Sequence, residues 1–146
     1  TVNMTKGRFR TDASKPSLVY QLQADGKYTL VQSKVRSKPL DHIPPAFGKM
    51  TIGYDNQKLF AELTMLFNGW KKLDQYNADG EDNAQYATAK GTPAWQTLNL
   101  KTGLQLNQRI GIQAGIENIF DLNYRYFASG FSAPGRNWIL NLRLSL

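Results

Sequence analysis

The chain sorts its hydrophobic residues by twos. In the stretch from Asn137 to Leu146, Trp138, Leu140, Leu142, Leu144 and Leu146 alternate with Asn137, Ile139, Asn141, Arg143 and Ser145. Alternation with a period of two is the side-chain rhythm of a β-strand; a helix would spread the same residues around its circumference. The same grammar recurs upstream. Ile110, Ile112, Ala114 and Ile116 alternate with Gly111, Gln113, Gly115 and Glu117. Leu98, Leu100, Thr102, Leu104 and Leu106 alternate with Asn99, Lys101, Gly103, Gln105 and Asn107. Segments of about 9–11 residues suffice for a tilted strand to cross a bilayer. Such repeated, weak alternation marks membrane barrels, apolar outward and polar toward the lumen.

Taken in order, residues 1–10 read as a strand, with Val2, Met4, Lys6, Arg8 and Arg10 on one face. Residues 11–45 form a long polar connection, within which Asp25-Gly26 predicts a hairpin between Val19–Leu22 and Tyr28–Val31. Strands follow at 47–54 and 59–67, joined by a tight turn at Asp55–Lys58. Matching their apolar faces sets Ile52 opposite Ala61 and Gly53 opposite Phe60. Residues 68–94 are a second long connection, closed by Pro93. Strands at 95–106 and 110–119 turn at Asn107–Arg109; this pairing sets Leu104 by Ile112, Gly103 by Gln113 and Lys101 by Gly115, and a slip of one residue would spoil every pair. Residues 120–136 are the third long connection, and the terminal strand follows. Short and long connections thus alternate. In transmembrane barrels the short turns are periplasmic and the long loops extracellular.

Charge supports the sorting. Glu62, Lys101 and Arg143 fall near mid-strand, all on the polar face. Facing lipid, a mid-depth Lys or Arg would cost about 2–4 kcal/mol. They are therefore expected to face the lumen, with Glu62 and Lys101 close enough to interact. Six strands cannot close a channel around this face, because even eight strands leave a filled interior. Either further strands precede these six or the sheet belongs to a soluble fold.

Composition adds limits. The 146 residues suit one domain. There is no cysteine, so no disulfide or thiolate site exists. No run approaches the roughly 18 apolar residues of a spanning helix. No signal peptide is visible at the start, so an exported chain would have its address upstream. Lys and Arg exceed Asp and Glu by 18 to 11, a net charge of +7 that suits an anionic partner. No catalytic constellation is present, so an enzyme is not expected.

At Gly115-Ile-Glu-Asn-Ile-Phe-Asp121, with Tyr124, Ser129-Gly130 and Pro134-Gly135-Arg136-Asn137, the chain resembles the C-terminal signature of TonB-dependent outer-membrane receptors. Pro39-Leu-Asp-His-Ile-Pro-Pro45, Gly48 and Tyr54 look like an earlier signature of that family. The resemblance implies an all-β transmembrane antiparallel β-barrel of the roughly 22-stranded, plugged class. Residues 1–146 would supply the last six strands, with extracellular loops at about 11–45, 68–94 and 120–136 and the plug domain absent. It further implies the bacterial outer membrane, with lipid and lipopolysaccharide around the barrel and TonB engaged through the missing plug. The cargo would be a large ligand such as iron–siderophore, haem or cobalamin. No cofactor and no nucleic-acid partner are implied. The family's usual terminal aromatic is replaced here by Leu146.

Within the signature, Glu117, Asn118, Asp121, Gly130, Pro134, Gly135, Arg136 and Asn137 read as structural. Asn118 and Asp121 can bond backbone where strand gives way to loop, and Gly130 and Gly135 permit a reversal. Lys6, Arg8 and Arg10, like Lys34, Arg36 and Lys38, recur at every second residue and are expected to line strand faces at a basic outer rim. They would suit lipopolysaccharide phosphates, or be solvated. Trp70, Tyr76 and Tyr86 lie in a loop and are the candidates for ligand contact. His42, the single histidine, has no partner for metal ligation. Asp79-Gly80-Glu81-Asp82 lacks the spacing of a calcium loop and is expected to be solvated. The competing reading is a soluble all-β module for an anionic partner such as nucleic acid. It requires the apolar faces to be buried against a second layer.

Overall fold

The computed structural model describes residues 1–145. Leu146 lies outside the described residues. One six-stranded antiparallel sheet dominates, built from β1 (Val2–Asn3), β6 (Phe47–Asp55), β7 (Leu59–Asn68), β10 (Trp95–Gln105), β11 (Ile110–Glu117) and β12 (Asn137–Leu144), in that spatial order. Three two-stranded ribbons stand at one end. They pair β2 (Arg8–Arg10) with β5 (Ser37–Pro39), β3 (Ser17–Leu22) with β4 (Tyr28–Ser33), and β8 (Lys71–Lys72) with β9 (Gly91–Thr92). Two 3-10 turns, Leu73–Gln75 and Ala84–Tyr86, are the helical elements among the described residues.

The period-two grammar produces the sheet. Side chains alternate between faces along each strand, and the registers keep like with like. Lys101 pairs with Glu62 and Gly115, Thr64 with Thr51 and Asn99, and Gln113 with Gly103 and Asn141. The other face carries Ile52, Leu63, Leu100, Ile116 and Trp138 in lateral succession. That apolar face has no covering layer. Leu140, Leu142 and Leu144 are 77%, 62% and 64% exposed. The soluble reading needed those residues buried, and here they are not. The sheet is open rather than closed, with β1 and β12 at its edges.

The β10–β11 register is the one the sequence predicts, with Leu104 by Ile112, Gly103 by Gln113 and Lys101 by Gly115. The β6–β7 register differs from expectation by two residues. Ile52 pairs with Leu63 and Gly53 with Glu62, rather than with Ala61 and Phe60. The turn decides it. The Asn56 side-chain oxygen accepts from the backbone N–H of Lys58 and Leu59, and Asn56 N–H donates to the Leu59 carbonyl. This seats Asn56 opposite Leu59 and carries the strands one position further than a turn at Asp55–Lys58 would. A shift of two leaves every side chain on its original face. Phe60 still lies over a glycine, but it is Gly103 of β10, where an added Cβ would strike the ring.

The strand expected over residues 1–10 is broken. β1 pairs with β6, whereas β2 pairs with β5. Between them the facing chain carries Pro44 and Pro45, which have no N–H to offer a ladder. Pairing resumes only where Leu40 N–H reaches the Gly7 carbonyl, at 3.1 Å.

Candidate functional site

The three long connections are not separate loops. They pack into one layer at the end of the sheet where the ribbons stand. Its centre is Lys71, which is almost fully buried. Lys71 Nζ lies 2.7 Å from Asp82 Oδ2 and donates at 2.8 Å to the Ile43 carbonyl. The same ammonium sits 3.9 Å from the Phe127 ring centroid and 4.7 Å from that of Tyr76. One cation thus touches residues from all three connections. Burial pushes its pKa below the usual lysine value, while Asp82 and Asp41 pull it back up.

Asp82 is only 1% exposed, and its Oδ1 accepts from the His42 backbone N–H at 2.6 Å. Lys38 pairs with Asp79, and Asp41 accepts from Asn77 Nδ2 at 3.0 Å. Gly80 lies hard against the Asp41 carboxylate, where a Cβ would collide. Of the acidic stretch expected to be solvated, Asp79 and Glu81 stay exposed, while Asp82 is buried inside this layer. Its carboxylates are held because the cations of two connections come to meet them. His42 takes a positive φ of 59°, and its exposed ring nitrogen Nε2 is 3.8 Å from Glu81.

The third connection is stitched in through aromatics and backbone. Trp95 stacks against Tyr124 and Tyr126, with centroids 4.2 and 4.9 Å away, and its Nε1 donates to the Arg125 carbonyl. Burial and the Tyr126 partner push the Tyr124 hydroxyl up to about 12. Burial likewise raises Tyr76. Asn83 Nδ2 donates to the Ala128 carbonyl, and Arg125 Nη1 donates to the Tyr86 carbonyl.

Several candidate residues change role. Tyr76 was expected to contact ligand, but it is 2% exposed and its hydroxyl is 2.7 Å from Thr92 Oγ1; it is core to the layer. Trp70 and Tyr86 stay about half exposed. Trp70 Nε1 donates to the Lys90 carbonyl, which fixes the ring while leaving it open. The basic rim is also redrawn. Arg8 and Arg10 share a face of β2, and Arg8 donates to Ser37. Lys38 pairs in register with Phe9 on the opposite face and is only 5% exposed. Lys6, Lys34 and Arg36 lie outside the strands, so no shared strand face aligns them.

The signature residues organise the junction of sheet and loop. Asn118 takes φ 48°; its side chain bonds both the N–H and the carbonyl of Leu122 and reaches the Pro134 carbonyl. Asp121, at φ 54°, accepts from the Arg136 backbone N–H at 2.7 Å. Asn137 Nδ2 donates to Glu117 at 3.1 Å. The reversal does not use the glycines as expected. Neither Gly130 nor Gly135 has a positive φ; Asn118, Asp121 and Ala128 do. Gly135 is needed for space, since a Cβ there would lie 2.6 Å from the Asp121 carboxylate. On the polar face of the sheet, Glu62 and Lys101 are direct cross-strand partners without a salt bridge among the described residues. Arg143 lies opposite Gly111.

No family model matches the chain. It is 26% identical over 133 residues to lactoferrin-binding protein A of Neisseria meningitidis serogroup B, strain MC58, and equally so to the serogroup A protein. Each match covers 75% of this chain but only 14% of the relative's length. Among solved structures the copper transporter OprC is similar, with a TM-score of 0.58 at 19% identity, over 75% of this chain and 18% of that one. At that identity the likeness is one of fold. The chain shares the strand arrangement of a part of a transporter, and neither relative is named as an enzyme.

Proposed function

We propose that this chain is the C-terminal part of the barrel of a TonB-dependent outer-membrane receptor, acting in uptake of a large ligand. One observation carries the reading. A single sheet leaves Leu140, Leu142 and Leu144 uncovered on one face and sets Glu62, Lys101 and Arg143 on the other. In a closed outer-membrane barrel these become the lipid belt and the wet lumen. The sequence signatures, the fold shared with part of a copper transporter and the weaker match to lactoferrin-binding protein A all support it.

On this reading the layer built from residues 11–45, 68–94 and 120–136 faces the cell exterior, and the turns at 56–58 and 107–109 face the periplasm. The lumen-facing charges serve the polar interior, where the missing plug and its contact with TonB would lie. Trp70 and Tyr86 are the exposed aromatics left for ligand contact. Lys6, Arg8 and Arg10 rise above the apolar Val2 and Met4, where lipopolysaccharide phosphates would meet them. The relatives' names extend the cargo classes to consider, a metal in one case and a protein in the other.

These 146 residues hold no cysteine, so once any cysteine elsewhere in the protein is replaced by serine, a single substitution here is a unique label site. In the full-length protein expressed in cells, Ser129→Cys is expected to react with a membrane-impermeant maleimide. Leu142→Cys should resist it and react only with a lipid-soluble reagent, and the protein should leave the membrane only with detergent. Release by salt alone, with both positions labelling equally, would overturn the assignment.

A further inference from the structure

The ribbon of β3 and β4 carries an edge that nothing occupies. Gln23 N–H donates to the Lys27 carbonyl and Gly26 N–H to the Gln23 carbonyl, with Gly26 at φ 79°. This closure makes 23 and 27 a hydrogen-bonded pair. Bonded and non-bonded pairs alternate along an antiparallel ladder. The pairs Gln21–Thr29 and Val19–Val31 are then bonded, while the backbone groups of Tyr28, Leu30 and Gln32 point away from β3. None of these three makes a backbone hydrogen bond to another element among the described residues. The turn Leu73–Gln75 packs on β3 and sets Asp74 beside the Tyr28 side chain, while the outward backbone groups of β4 meet no strand.

Natural edges are blunted by proline, an internal charge or a bulge. β4, Tyr28-Thr-Leu-Val-Gln-Ser33, has none of these, and Leu30 is half exposed. Its surroundings are basic. From Lys15 to Arg36 the chain holds Lys15, Lys27, Lys34 and Arg36 against Asp25, and the neighbouring turn adds Asp74 beside Tyr28. A row of free backbone donors and acceptors is complementary to one kind of ligand, an extended polypeptide. Its charged surround selects an acidic one.

We propose that the outer edge of β4 docks an acidic, extended segment of a partner polypeptide as an added strand. As a surface-exposed dock it rests on the assignment of residues 11–45 to the cell exterior; the edge itself does not. The test uses the full-length protein in detergent micelles and a labelled peptide of alternating Glu and Val, read by fluorescence anisotropy. Leu30→Pro removes only an outward N–H, and proline is tolerated on an edge. It should weaken binding about tenfold, the worth of one or two lost hydrogen bonds. Leu30→Ala should stay within about twofold. A peptide N-methylated on every residue, which has no free strand edge, should fail on the unaltered protein, and this keeps the test decisive if Leu30→Pro disturbs the ribbon. Absence of peptide binding, equal binding by the N-methylated peptide, or indifference to Leu30→Pro in a ribbon that keeps its amide-exchange protection would overturn the proposal. Impermeant labelling of Lys27→Cys on cells reports separately on location, so failure there would strike the receptor reading and leave the edge intact.

Discussion

Asp82 shows how much one carboxylate can hold. Its two oxygens bind the buried Lys71 ammonium and the His42 backbone N–H. Removing one member of a buried ion pair strands the other charge, at a cost of about 3–5 kcal/mol, whereas replacing both by apolar groups is often neutral. Asp82→Ala is therefore expected to loosen all three long connections, and Lys71→Met with Asp82→Leu to restore much of the loss. Limited proteolysis of the connections in the folded protein reads both. Gly103 makes a second residue-scale case. An added side chain there meets the Phe60 ring. Gly103→Val should destabilise the β7–β10 pairing by about 1–3 kcal/mol, as overpacking does. Phe60→Ala should relieve part of that loss, and denaturant unfolding in micelles would show the coupling.

At the scale of the element, face matters more than position. Asn141 and Leu142 are neighbours on β12 but point to opposite sides of the sheet. Leu142→Arg is expected to cost about 2–4 kcal/mol in the membrane-embedded protein, while Asn141→Arg should be far milder. Folding yield into lipid vesicles, measured across denaturant, separates them. Legibility differed between elements for the same reason. β10 and β11 were readable because Leu106 and Ile110 directly flank the short Asn107–Arg109 turn, which closes with the Leu106 N–H on the Ile110 carbonyl. The β6–β7 pairing was not, because shifts of two preserve every face. There the Asn56 side chain chose between registers, and periodicity does not encode that choice.

At the scale of the whole molecule, an open sheet carries a layer of interlocked connections. Tyr76 and Tyr124 lie within that layer with raised hydroxyl pKa values, both chiefly through burial. A phenol that keeps its proton longer when folded contributes stability that is full below its unfolded value near 10. That contribution is lost as pH rises through the folded value, about 12 for Tyr124. The layer is therefore expected to open between these values while the strand ladders persist. Tyrosinate absorbance should rise together with protease sensitivity of residues 68–94 and 120–136, with little change in the strand signal of circular dichroism. Simultaneous loss of strand signal would show that the layer and the sheet do not open separately.

The sequence by itself determined the five long strands of the sheet, their faces and the alternation of short and long connections. Each of these follows from local rules: a period of two, the turn chemistry of Asp25-Gly26, and the cost of placing Lys101 or Arg143 among apolar neighbours. It also marked Asn118 and Asp121 as junction residues; Asn118 bonds Leu122 nearby, whereas Asp121 reaches Arg136 across the third connection. Only the tertiary structure decided what the polar connections do. Lys38 and Asp79 are 41 residues apart, and Lys71 meets Phe127 across three strands and two 3-10 turns. Charges that look solvated along the chain become buried when distant segments supply the opposite sign, because a paired, hydrogen-bonded charge can leave water and a lone one cannot.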